Sequence, residues 1–309
     1  MYKKRHFTLV ELLVSLSIIG ILSGLIFPSF AKSRTKAKYV RWLTYNAGFN
    51  RDSDTVINFN FEDAPYELVK DGTVSKGIKN LAVVCDAEKF DSRDYYGILH
   101  NSPEWVKGGG RWPFKSAMQF DGSDDYVEIL NNYVIDFDPA RDPFTVIVWA
   151  NFYGLSNQYL FSKGEDLKSL QYGAYLLNDY IGGASGSSYQ YWEIPTIETM
   201  RWYQIVLVND PKEGYRLYVD GKLAGEAVKN KDKVESTKLS ALQLNLGTLL
   251  QPGKENPGKG KGKGLAKVKD KNKDDPQECF RGRIDEFILL KRALSASEVE
   301  RNYSMGNPY

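Results

Sequence analysis

The sequence predicts a mainly β chain: a long N-terminal α-helix followed by a β-sandwich of jelly-roll type. Three observations carry that expectation. Residues 7–27 (FTLVELLVSLSIIGILSGLIF) are a run of 21 with one charge, Glu11. Residues 29–48 keep apolar positions at three-to-four spacing among Lys32, Arg34, Lys36, Lys38 and Arg41. From Asp54 onward the period drops to two, and short apolar runs recur between turn signals with almost no helix.

The first element is long enough to matter. At ~1.5 Å per residue, a helix of that run spans a bilayer's ~30 Å hydrocarbon core. Lys3, Lys4 and Arg5 before it favour a cytoplasmic N-terminus. Glu11 is the exception, because a carboxylate near the middle of such a helix costs roughly 2.5–3.5 kcal/mol. A helix that keeps one is expected to have a partner for it. Three other readings are open: a secretory signal cut after Ala31, a plain anchor with Glu11 near the interface, and a buried soluble helix. The run exceeds the 7–15 residues of a signal's apolar core, and its charged flanks argue against burial. Pro28 is expected to end or kink the helix. Beyond it, Ala37, Val40 and Leu43 or Trp42 are the expected apolar face, and the basic residues form a solvated or phospholipid-facing surface.

The remainder reads as strands. Ile57, Phe59 and Phe61 alternate with Asn58 and Asn60, and residues 144–152 and 202–208 are apolar on both faces, as central strands are. Residues 215–219, the Asp220-Gly221 turn and residues 222–224 make a hairpin, since Asp-Gly supplies the positive φ angles of a type I′ turn. Shorter strands are expected at 117–120, 126–129, 159–162, 174–177, 189–194 and 242–246, and a last one at 282–290. A closing helix follows, with Ser295 and Glu298 in capping-box register. Residues 251–277 hold eight lysines and four acids among Gly and Pro, a composition that builds no core and reads as a flexible loop.

Composition narrows the function. Apolar content of 42% supports a real core, and a net charge of +2 does not suit a nucleic-acid binder. The two histidines, His6 and His100, cannot build a histidine-based catalytic or zinc site. Asp285 and Glu286 are adjacent on a strand, so they are expected on opposite faces, unable to flank one sugar. No enzyme activity is expected. Cys85 and Cys279 both follow the apolar run; if that part is exported, a disulfide between them is permitted. Exposed aromatics stack on sugar rings, and Trp112, Tyr189, Tyr191 and Trp192 lie in looser sequence as candidates.

Two resemblances follow from these residues. The basic leader and the run FTLVELLV resemble the N-terminus of type IV pilins and type II secretion pseudopilins. That implies a leader of residues 1–6 cut by a prepilin peptidase between His6 and Phe7, with methylation of the new terminus. The family usually has Gly before the cut, where this chain has His6. It also implies a transmembrane and stem helix over 7–50, with Glu11 pairing the Phe7 amine of a neighbouring subunit. Residues 116–129, 144–149, 201–206, 218–222, 282–287 and 292–299 resemble the laminin-G-like, concanavalin A-like jelly-roll family, implying such a domain over 51–305. This family implies a structural calcium ion, with Glu62 and Asp285 as first candidates among several acids. Together the resemblances imply a subunit of the bacterial inner membrane, single-pass, assembled with copies of itself or other pilins. Its head would be periplasmic or on an extracellular pilus, binding a glycan or protein. The alternatives are a type II secretion pseudopilin and a membrane-anchored carbohydrate-active enzyme.

Overall fold

The computed structural model describes residues 8–70, 73–82, 96–164, 170–177, 180–185, 188–192, 197–225, 243–249 and 279–309, without the side chains of 25–29, 31, 70 and 188–192. Cys85 and the 251–277 loop lie outside the described residues. The chain opens with α1 (Leu9–Arg51). Strands follow as β1 (Thr55–Phe59), β2 (Tyr66–Lys70), β3 (Thr73–Ile78), β4 (Gly97–His100), β5 (Glu104–Val106), β6 (Ala117–Asp121), β7 (Tyr126–Ile129) and β8 (Phe144–Phe152). Next come β9 (Gln158–Lys163), β10 (Tyr172–Leu177), β11 (Tyr180–Ser185), β12 (Ser188–Trp192), β13 (Trp202–Asp210), β14 (Gly214–Val219) and β15 (Lys222–Leu223). The chain closes with β16 (Leu244–Leu246), β17 (Arg281–Leu290) and α2 (Ala296–Gly306).

The strands form two sheets. One runs β15-β14-β13-β8-β17-β6-β5, with β1 also paired to β17; the other runs β12-β11-β10-β9-β16-β7-β4-β3-β2. Their facing sides make the main core, in which Phe59, Phe144, Val146, Val148, Phe161, Ile205, Leu207 and Phe287 are fully buried. The alternate residues Ile147, Val206, Val208, Ile288 and Leu290 point the other way and are equally buried. They pack under Phe49 of α1 and under Leu294 and Val299 at the C-terminal end. This is why β8 and β13 are apolar on both faces: one face meets the second sheet, the other meets helices. Burial of an aliphatic side chain is worth about 1.5–3 kcal/mol, so both layers contribute to stability.

The hairpin turn is as expected, with Asp220 at φ 52° and Gly221 at φ 75° between β14 and β15. Ser295 and Glu298 cap α2 reciprocally. Two expectations hold only in part. α1 runs through Pro28 without ending. Of its expected apolar face Trp42 is buried, whereas Ala37 and Val40 are exposed; Asn46 and Phe49 are buried as well.

Lys163, at the end of β9, is buried; its Nζ donates to Asn131 Oδ1 (2.7 Å) and lies 3.3 Å from Asp136 Oδ1. Burial pulls its ammonium down to about 8, against the pull of Asp136. An unfolded lysine holds its proton to about 10.4. Between those values the unfolded chain binds more protons, so this lysine's contribution to stability rises with pH. Relative to Lys163→Met, wild-type stability is expected to gain about 2–3 kcal/mol between pH 7 and pH 10. Urea unfolding across that range checks it; a pH-independent difference between the two proteins contradicts it.

Candidate functional site

The helix and the sandwich meet at a buried cluster of charge. The loop before β6 folds tightly, Gly110 N–H donating to Lys115 O (2.8 Å) and Lys115 N–H to Trp112 O (3.0 Å), which turns Arg111 inward. The Arg111 guanidinium bonds both Asp285 and Glu286, its backbone N–H donates to Asp285 Oδ2 (2.6 Å), and its Nε donates to Gly306 O (2.9 Å). The rings of Trp42 on α1 and Trp149 on β8 flank it, their centroids 4.9 and 4.3 Å from Cζ. Planar donors and a delocalised charge make arginine suited to both kinds of contact. Asn46 Nδ2 donates to Glu286 Oε1 (2.5 Å), and Asn58 Nδ2 donates to Asn46 Oδ1 (3.2 Å) and Asn50 Oδ1 (2.7 Å), so α1 is stitched to the same carboxylate.

Asp285 and Glu286 serve one cation because the strand is irregular between Ile284 and Glu286. Ile284 pairs with Ala150 and Glu286 with Trp149, leaving Asp285 as the extra residue of a bulge. A bulge breaks the two-residue alternation that put these carboxylates on opposite faces. This corrects the sequence expectation. It also pairs Asp285, one of the expected metal ligands, with Arg111.

Glu62, the other expected metal ligand, lies 3.3 Å from Lys115 Nζ, which also donates to Asn60 O (2.5 Å) and sits 4.6 Å from the Trp42 ring centroid. Burial raises the Glu62 carboxyl and lowers the Lys115 ammonium, each opposed by its partner. Burial, then the charge of Glu62, pushes the Tyr39 hydroxyl up to about 12. Trp112 is fully buried beside Tyr39 (6.0 Å between centroids), so it offers no face to a sugar. Tyr189, Tyr191 and Trp192 lie on β12, at one end of the second sheet, with side chains outside the description. Cys279 is buried, 3.5 Å from Thr248 Oγ1, and forms no disulfide among the described residues; its expected partner Cys85 lies outside them.

Among the described residues, Asp121, Asp124 and Asp125 converge at the β6–β7 turn, with one carboxylate oxygen of each within 4.8 Å of the others. An all-oxygen set suits a hard cation such as calcium. Asp121 Oδ1 accepts from Ser123 N–H (2.7 Å) and Asp125 Oδ2 from Asp121 N–H (3.0 Å). Burial pushes the Asp125 carboxyl up to about 6, partly offset by that hydrogen bond.

At the other end of α1, Glu11 has partners within its own chain. Thr8 N–H and Thr8 Oγ1 both donate to Glu11 Oε2 (2.8 Å each), and Glu11 N–H donates back to Thr8 Oγ1 (3.3 Å). This is a capping box, with the same spacing as Ser295 and Glu298; the spacing was legible in the sequence and missed. Phe7 and His6 lie outside the described residues. Leu9, Val10, Leu12, Leu13, Val14, Leu16, Ile18, Ile19, Ile21 and Leu22 are each at least half exposed, so this end is apolar all round and uncovered. Among the described residues no helix is long and apolar enough to cross a membrane. Described side chains of the apolar run stop at Gly24, short of the ~20 residues a span needs.

Removing one partner of a buried charge cluster costs about 3–5 kcal/mol. Arg111→Met is therefore expected to lower unfolding stability by that amount, and adding Asp285→Leu and Glu286→Met to restore most of it. Urea unfolding of both variants checks this; an Arg111→Met loss below about 1 kcal/mol contradicts it.

Comparison with known proteins agrees with both ends. A family model of the prokaryotic N-terminal methylation motif matches residues 3–27, and one of the concanavalin A-like lectin/glucanases superfamily matches residues 121–259. No curated protein matches the chain. A structure of Trypanosoma rangeli sialidase in complex with sialic acid superposes with TM-score 0.52 at 14% identity, covering 82% of this chain and 33% of that one. A second structure of that sialidase gives 0.51 at 15%, with the same coverage. The receptor binding domain of botulinum neurotoxin C/D mosaic serotype gives 0.48 at 13%, covering 81% and 51%. The chain spans about a third of the sialidases' length, and at these identities the likeness is one of fold. The chain thus joins a two-sheet β-sandwich, part of which matches the concanavalin A-like lectin/glucanases model, to an N-terminal segment that matches a prokaryotic N-terminal methylation motif.

Proposed function

We propose that the chain is a pilin-type or pseudopilin subunit, with a leader of residues 1–6, a transmembrane and stem helix over 7–50 and a jelly-roll head over 51–305. The observation that carries this is the methylation motif over residues 3–27 on a helix whose apolar side chains are exposed on every side. A helix apolar all round needs a covering, either lipid or the same helix of other subunits. A prepilin peptidase cuts between His6 and Phe7, and the subunit sits in the bacterial inner membrane as a single pass before entering a filament. The head is displayed in the periplasm or on a surface pilus for adhesion, with a glycan contact at Tyr189, Tyr191 and Trp192. Any structural calcium ion belongs at Asp121, Asp124 and Asp125. The role is structural and not enzymatic, which the engagement of Asp285 and Glu286 by Arg111 supports.

In the filament, the Phe7 amine of a neighbour neutralises Glu11 in a low-dielectric setting, where an unpaired carboxylate is heavily penalised. The capping box supplies a rival explanation for the residue, and two substitutions separate them. Glu11→Gln keeps the cap and removes the charge, whereas Glu11→Ala removes both. Both are expected to leave the head's melting temperature unchanged and to cut filament incorporation at least tenfold. Immunoblotting of sheared filaments checks this; normal incorporation of Glu11→Gln contradicts the pairing.

A further inference from the structure

α1 has no acid between Glu11 and Asp52, and it holds Lys32, Arg34, Lys36, Lys38, Arg41 and Arg51. The structure divides the five clustered cations. Lys38 Nζ donates to the carbonyl oxygens of Pro308 and Tyr309 (3.1 and 3.0 Å), and Lys38 and Arg41 line a cleft against the hairpin turn and α2. Lys32, Arg34 and Lys36 are exposed, and none makes an ion pair with a described carboxylate. They occupy the stretch between the apolar run and the first head contacts at Lys38 and Tyr39.

We propose that Lys32, Arg34 and Lys36 form a collar for anionic phospholipid headgroups on the side of the membrane that bears the head. The inference rests on the membrane-inserted reading above. Because α1 is continuous, the rise of ~1.5 Å per residue sets Lys32 ~8 Å and Lys36 ~14 Å beyond Phe27. A headgroup layer of roughly 5–8 Å plus a Debye length of ~8 Å reaches all three. Arg41, ~21 Å out, lies beyond it. Direction matters as much as depth. At about 100° per residue, Lys32 and Lys36 share one side of the helix and Arg34 lies on the opposite side. An acidic protein partner meets one face of a helix, whereas headgroups surround it. Two-sided charge therefore fits lipid.

The test uses the protein isolated from membranes after loss of the leader that carries Lys3, Lys4 and Arg5, reconstituted in mixed phosphatidylcholine–phosphatidylglycerol bilayers with spin-labelled forms of each lipid in turn. Electron paramagnetic resonance resolves the motionally restricted lipid at the protein surface. One cation at an anionic surface is worth about 1 kcal/mol, which corresponds to about a fivefold preference. Restricted phosphatidylglycerol is expected to exceed restricted phosphatidylcholine by about that factor. The preference is expected to vanish in Lys32→Gln/Arg34→Gln/Lys36→Gln, and in about 0.5 M salt, where the Debye length is ~4 Å. Lys32→Arg/Arg34→Lys/Lys36→Arg is expected to retain it. Restricted lipid with no preference overturns the collar while insertion stands, and leaves an acidic protein partner for these cations. A preference that survives the triple Gln variant also overturns it. Absence of restricted lipid of either kind overturns the membrane reading itself.

Discussion

The union of helix and sandwich turns on the guanidinium of Arg111, held by two carboxylates where β17 bulges and flanked by tryptophans from α1 and β8. A lone buried cation is costly, and here two acids, a backbone carbonyl and two aromatic faces share the work of replacing water. Those groups come from four stretches of chain: β17, the end of α2, α1 and β8. Asn46 of α1 then binds the same Glu286, so the helix is tied to the charge cluster as well as to the apolar layer around Phe49. The outer face of the first sheet is thereby covered. That lets β8 and β13 be apolar on both sides without leaving a sticky surface.

Much of the sandwich could be read from period and turn chemistry, because strand alternation and Asp-Gly at 220–221 are local signals. The junction could not. Arg111 and Asp285 are far apart in sequence, and the bulge that turns Asp285 and Glu286 to one partner leaves no mark in the strand's residue pattern. Trp112 sat in a Gly-rich stretch that reads as an exposed loop, yet the loop folds beneath α1 and buries it. The stem's packing face was legible only in part, at Trp42, for a related reason. Its buried positions include Asn46, a polar residue kept inside by hydrogen bonds, which an apolar-period reading skips. At Pro28, where the helix was expected to end or kink, it does not end.

The two ends of α1 differ in what covers them. Its C-terminal half is bound into the head by aromatic, charged and apolar contacts, Tyr39 against Trp112 among them. Its N-terminal half exposes large apolar side chains on all sides. A single continuous helix joins these, so whatever captures the apolar end carries the sandwich with it. That division of labour fits a subunit whose helix assembles and whose head is displayed. Glu11 lies at the exposed end, within the segment that matches the methylation motif.

The processing of that terminus is the account's most direct test. Intact-mass and tandem mass spectrometry of the protein isolated from membranes is expected to give a chain that starts at an N-methylated Phe7. A mature chain that starts at Lys32, with the apolar run removed, contradicts the account and leaves a secreted sandwich in its place.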